Sequence, residues 1–132
     1  MNGGPMNLAL WIVAALLASV FLFAGVVKLA VPREKLLAAR GAGWVEDFSA
    51  TTVKVIGVLE VLAAVGLIVP AALDIAPDLV PLAALGLVLL MVGAMIVHLR
   101  RHEARHVVAN LVYLVLAGFV VWGRFSLEPF TG

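Results

Sequence analysis

Four ionisable or amide side chains, Lys28, Glu60, His98 and Asn110, stand inside otherwise long apolar stretches of the chain. Groups of this kind are costly in hydrocarbon and usually face a bundle interior, so they are the first place to look for chemistry. A lysine beside a glutamate can orient a polar head through charge-assisted hydrogen bonds. A membrane glutamate can also take a proton and a cationic substrate in turn. Each residue has a plainer reading as well. Lys28 could snorkel to the headgroups, Glu60 could be a protonated structural residue, His98 could be interfacial, and Asn110 could join two helices. His98, His102 and His106 fall at i, i+4 and i+8, a spacing that would suit a metal on a continuous helix. Three arginines interleave with them and disfavour a cation, so no metal site is expected. The chain has no cysteine, which removes disulfides, thiolate catalysis, iron–sulfur ligation and dithiol exchange with a quinone. Without a nucleophile–base pair or a cofactor motif, no catalytic residue is assigned, and the chain is not expected to be an enzyme on its own.

These residues need elements to position them, and composition says which. Of 132 residues, 64% are apolar and 13% charged, against roughly 45–50% and about 25% in a soluble domain. A water-soluble chain this short could not bury so much apolar surface. About 20 apolar residues cross the hydrocarbon core, and four segments qualify: residues 8–31, 52–73, 81–98 and 107–123. The expected fold is all-α, a polytopic four-transmembrane-helix bundle forming one domain over residues 1–132. Pro32 is a natural stop for the first helix and Pro81 a favoured first-turn residue for the third. The connection 33–50 mixes Arg33, Lys35, Leu36, Leu37, Arg40 and Trp44; an interfacial helix followed by a Gly41-Ala42-Gly43 turn is expected, with an irregular loop as the alternative. Trp11, Trp44 and Trp122 read most simply as membrane-surface anchors. The N-terminal span lacks the features of a cleaved signal and is expected to be retained, with Met6 an alternative start and residues 1–5 a disordered leader.

Connections 33–50 and 99–106 share one side of the bundle and hold Arg33, Lys35, Arg40, Arg100, Arg101 and Arg105, whereas the other side has only Arg124. The excess of basic residues in cytoplasmic loops then places both termini outside the cell membrane and these two loops in the cytoplasm. Lys28 and Glu60 would lie roughly 5 and 10 Å inside the cytoplasmic boundary. Side chains lean toward a helix N-terminus, so Lys28 and Glu60 lean toward one another, and His98 and Asn110 close a plausible ring of four. Phe21, Gly25 and Lys28 share one face of their helix, as do Gly57, Glu60 and Ala64 of theirs, and Gly93-Ala94 lies a turn before His98, so close packing is expected at these places.

The patterns Phe23-Ala24-Gly25 to Lys28-Leu29, Gly57 to Glu60 with Gly66-Leu67 and Pro70, Met91 to Gly93-Ala94 with His98, and Asn110 with Gly123-Arg124 resemble the DoxX-like membrane proteins. The resemblance spans all four helices, its specificity lying in their order and spacing. It implies a four-helix membrane bundle and an association with redox or stress systems: the family is named for a subunit of a thiosulfate:quinone oxidoreductase, and relatives form membrane complexes with detoxifying enzymes. It carries over no catalytic residue. The similar architecture of vitamin K epoxide reductases depends on a CxxC pair that this chain lacks. The expected function is a binding or assembly subunit whose cytoplasmic-half pocket holds a lipid-like molecule or a quinone. The alternative is a small proton-coupled exporter using Glu60. Small multidrug transporters share four short helices and a membrane glutamate, but theirs lies in the first helix. Expected partners are the lipid bilayer, a quinone or lipid-like small molecule, and a membrane or cytoplasmic redox protein. Self-association is left open, and a net charge of +1 gives no reason to expect nucleic acid.

Overall fold

Hydrophobicity all round each long helix leaves lipid as the only solvent for its outer face, and the elements follow from that. The computed structural model describes residues 4–39 and 42–127. Its long helices are α1 (Pro5–Ala30), α3 (Ala50–Ala72), α4 (Leu79–Arg100) and α5 (Ala104–Trp122). The short α2 (Arg33–Ala38) and a 3₁₀ helix (Gly43–Asp47) fill the connection between α1 and α3, and a π-helical turn (Gly123–Leu127) follows α5. No strand occurs among the described residues. The protein is an all-α, four-helix membrane protein, each long helix being long and apolar enough to cross a bilayer.

Local chemistry sets the ends. Pro5 opens α1, so that part of the expected leader is already helical; residues 1–3 lie outside the described residues, as do Arg40 and Gly41 of the expected turn. The Ser49 hydroxyl accepts from the Thr52 backbone N–H at 3.1 Å and caps α3, satisfying one of the orphan donors of a first turn. Pro81 is the third residue of α4, where a missing N–H costs nothing. Both α3 and α4 end in the same motif. Asp74 (φ 56°) and His102 (φ 58°) adopt the left-handed conformation. The N–H groups of Ile75 and Glu103 then reach back to the carbonyls of Pro70 and His98, each at 2.9 Å. This is the Schellman closure, which turns the chain sharply. It shortens the α4–α5 connection to Arg101, His102 and Glu103 and breaks the helix between the three histidines, so the i, i+4, i+8 spacing does not hold in space.

Around the bundle, α1 packs on α3, α3 on α4, α4 on α5, and α5 closes on α1. Leu17, Phe21, Leu67, Leu87, Met91 and Val120 fill the core among alanines 14, 63, 64, 84 and 117. Phe23 and Leu89 face outward, 73% and 66% exposed. Lipid gives apolar helices no hydrophobic reason to associate, so small residues that permit close approach decide where they meet. At the α1–α3 crossing a Cβ on Gly25 would stand 2.7 Å from the Gly57 carbonyl oxygen. Gly93, expected to pack as closely, has nothing within 4 Å of such a Cβ. Arg124, the one basic residue counted on its side of the bundle, is 3% exposed, and its Nη1 donates to Asn7 Oδ1 at 2.7 Å, tying the turn after α5 to the start of α1.

Candidate functional site

The glycine crossing of α1 and α3 sets the first pair. One turn beyond Gly25 and Gly57, the Lys28 ammonium lies 2.9 Å from Glu60 Oε1, with Glu60 only 6% exposed. Oε1 is thus buried in an ion pair with the lysine. Lys28 Nζ also stands over the Trp44 ring, 5.5 Å from its centroid, a cation–π contact. The lysine thus turns inward to partners; it does not snorkel to the headgroups.

The second group is built by the turn after α4. Because the Schellman closure bonds the Glu103 N–H to the His98 carbonyl, two residues five apart come side by side, and His98 Nδ1 meets Glu103 Oε1 at 2.6 Å. The imidazole is buried, stacked on His106 with 4.4 Å between centroids, and edge-on to Trp44 at 6.4 Å. Glu103 Oε2 accepts from Arg101 Nε at 3.2 Å. The hydrogen bond from His98, followed by that from Arg101, holds the Glu103 carboxyl below the usual carboxylate range against the opposing effect of burial. Arg101 also pairs with Glu46 at 3.3 Å and Asp47 at 3.1 Å, which ties the 3₁₀ helix to the α4–α5 turn. From the other side, Arg33 Nε donates to the Phe48 carbonyl at 2.9 Å. These contacts seat Trp44 and Phe48 across the end of the bundle.

Beneath that roof is a cavity of about 820 Å³, within the size range of small-molecule pockets. Lys28, Trp44, Glu60, His98 and Asn110 form its polar end; the remainder is almost wholly apolar, with Phe21 and Tyr113, in edge-to-face contact at 5.4 Å, on the α1–α5 side. Asn110 Nδ2 is buried without a hydrogen-bond partner. Leu59 and Leu62 of α3 and Leu89 and Gly93 of α4 both line the cavity and are exposed outside. Its mouth therefore opens sideways between α3 and α4, toward lipid.

All four residues singled out from the sequence line this one cavity, but they do not close into a ring. Lys28 pairs with Glu60, His98 with Glu103, and Asn110 Nδ2 with nothing. Trp44, read as a surface anchor, is half-buried in the cavity wall. Gly93 leaves cavity space where close packing was expected, and Arg101, counted among the basic residues of its connection, is held by three carboxylates. Glu103, Glu46, Asp47 and Phe48 are the contributors that sequence reasoning missed. The signal available was the acidic Glu46-Asp47 pair, which follows Arg33, Lys35 and Arg40 in the same connection. Among the described residues no three His, Cys, Asp or Glu side chains converge to hold a metal.

The model of the DoxX-like family matches residues 12–120, which include the cavity and its roof. The chain belongs to the DoxX-like family. No curated protein and no solved structure matches it. DoxX-like membership agrees with the four-helix membrane fold. Arg124 and its bond to Asn7 lie beyond the matched residues at either end.

Proposed function

We propose that this DoxX-like protein is a membrane binding subunit whose cavity takes an amphipathic, lipid-like molecule head-first from the bilayer. The observation that carries the reading is the cavity itself: an apolar trough with a lateral mouth and one polar end, where a buried amide donor lacks a partner. An unsatisfied buried donor costs about 1–3 kcal/mol, which an acceptor on a ligand would recover. Lys28, Glu60, His98 and Asn110 are the residues assigned to the head, and the hydrocarbon tail would lie along Leu59, Leu62 and Leu89. A quinone suits these residues, because its carbonyl oxygens would accept from Asn110 and Lys28 while its ring and tail meet apolar wall. When bound it would supply redox chemistry, in keeping with a role beside a membrane or cytoplasmic redox partner. Sidedness follows the basic loops, with the polar end of the cavity in the cytoplasmic half and both termini outside.

A proton-coupled exporter based on Glu60 is the second reading. The Lys28 ammonium at 2.9 Å occupies the place a cationic substrate would need, which supports binding over export. Native mass spectrometry of gently extracted protein separates the two. A co-purifying neutral amphiphile, lost on Asn110→Leu, is the expected result. An empty bundle that moves cations against a proton gradient in vesicles would overturn the binding reading.

A further inference from the structure

The His98–Glu103 pair does more than fix the bundle end. Glu103 accepts at both oxygens, Oε1 from His98 at 2.6 Å and Oε2 from Arg101 at 3.2 Å. A carboxylate facing Nδ1 fixes the tautomer that carries its proton there and leaves the Nε2 lone pair as an acceptor. The ring is stacked on His106 at 4.4 Å, and among the described residues nothing hydrogen-bonds Nε2. The same cavity wall offers the unpartnered Asn110 Nδ2, a donor. An acceptor and a donor in one cavity suit a hydroxyl, which both gives and takes a hydrogen bond.

We infer that His98, positioned by Glu103, accepts a proton from the ligand, so that the cavity selects amphiphiles whose head carries a weakly acidic hydroxyl such as a phenol. In the transfer the ligand O–H bond breaks and an Nε2–H bond forms. The positive charge gained by the ring faces the Glu103 carboxylate, and the ligand oxyanion receives the Asn110 N–H. The charged or titratable groups bordering this exchange are Lys28 from α1, Glu60 from α3, His106 from α5, and Arg101 and Glu103 from the turn. Lys28 and Glu60 offset one another at 2.9 Å, while Glu46 and Asp47 engage Arg101. The inference rests on the amphiphile reading above and adds the head-group class and the direction of the proton.

The test uses 4-octyl-2-nitrophenol, whose phenolate is coloured, and its methyl ether, which has no proton to give, with the full chain in nanodiscs. The expected result is that the phenol binds more tightly than the ether and that the bound phenol turns coloured at a proton concentration about ten-fold higher than in protein-free nanodiscs, the scale of shift a nearby opposite charge produces. His98→Gln should lose the shift for whatever phenol it still binds, and the colour transition of that bound phenol is the readout. Glu103→Gln, at a partly exposed position that leaves folding less at risk, should weaken the shift, and Glu103→Asp should restore most of it. Identical colour transitions in the parent, His98→Gln and Glu103→Gln, with the phenol bound in each, would overturn the proton-acceptor role and leave the amphiphile reading standing. Equal affinity for phenol and ether would overturn the head-group selection, and failure of the phenol to bind the parent would overturn both readings.

Discussion

At the scale of single residues, the cavity end sets a buried ion pair against an unpaired amide. Removing one member of a buried pair strands the other at a cost of roughly 3–5 kcal/mol, unless the survivor changes protonation. Lys28→Met should therefore lower thermal stability in detergent by about that amount, and adding Glu60→Gln should recover much of it. Strictly additive losses would show that the 2.9 Å contact is not coupled. Ligand binding should stay lost in the double mutant if the charges orient a head group. Asn110 behaves oppositely. Its Nδ2 has nothing to lose in the empty bundle, so Asn110→Leu should leave stability within about 1 kcal/mol or raise it, since an unsatisfied donor is removed; calorimetry with and without the co-purifying amphiphile would show whether only the ligand-induced stabilisation disappears. The Lys28–Glu60 pairing was legible in the sequence because helix direction alone fixes which way each side chain leans. The His98–Glu103 pairing was not, because it depends on where α4 ends, and a left-handed histidine in place of the usual glycine gives no sequence signal.

At the scale of elements, the distinction is between glycines that let helices touch and glycines that leave room. Gly57→Ala places a methyl 2.9 Å from both the Gly25 carbonyl oxygen and Lys28 Cβ, and overpacking of this kind costs about 1–3 kcal/mol. Gly93→Ala meets nothing within 4 Å and should leave the melting temperature unchanged while narrowing the cavity mouth and weakening amphiphile binding. Equal destabilisation by the two would refute the assignment of Gly93 to the mouth. Sequence gives both glycines the same small-residue signal, and only the facing helix distinguishes them. The helix count was legible from apolar length. The helix starts were less so: α4 and α5 begin two or three residues before the expected positions, because a first turn accepts Pro81 and the polar Arg105 and His106. The α4–α5 turn also carries a pH dependence. The Glu103 carboxyl is held low in the folded state, chiefly by His98. Its stabilisation is therefore present above the unfolded carboxyl value of about 4.3 and is lost as pH falls through the lower folded value. Unfolding temperatures of the parent and Glu103→Gln should accordingly converge as the pH is taken below about 4; a gap that is constant with pH would mean that the ionised carboxylate contributes nothing.

At the scale of the whole molecule, the bundle has two chemically different ends, and the difference predicts its orientation. One end carries α2, the 3₁₀ helix and the α4–α5 turn, with Lys35, Arg100 and Arg105 exposed and Arg101 and Arg33 spent on fastening the roof. The other end exposes Asp74 and Asp78 and withdraws its lone basic residue, Arg124, into the interior. The sequence alone counted Arg124 as a loop charge; burying it sharpens the asymmetry that governs insertion, since basic residues near span ends are retained in the cytoplasm. The expected topology is cytoplasmic for residue 105 and external for residue 78. Because the chain has no cysteine, Arg105→Cys and Asp78→Cys each supply a single thiol at an exposed position that makes no ion pair among the described residues. In intact cells an impermeant maleimide should label residue 78 at once and residue 105 only after the membrane is opened. The reverse pattern would put the polar end of the cavity, the His98–Glu103 pair and the roof of Trp44 and Phe48 on the outside. The proton taken from a ligand head would then be exchanged with the external solution, and any soluble redox partner would have to be sought there. Labelling of both residues from outside would indicate two opposed orientations, an arrangement this strongly one-sided charge distribution is built against.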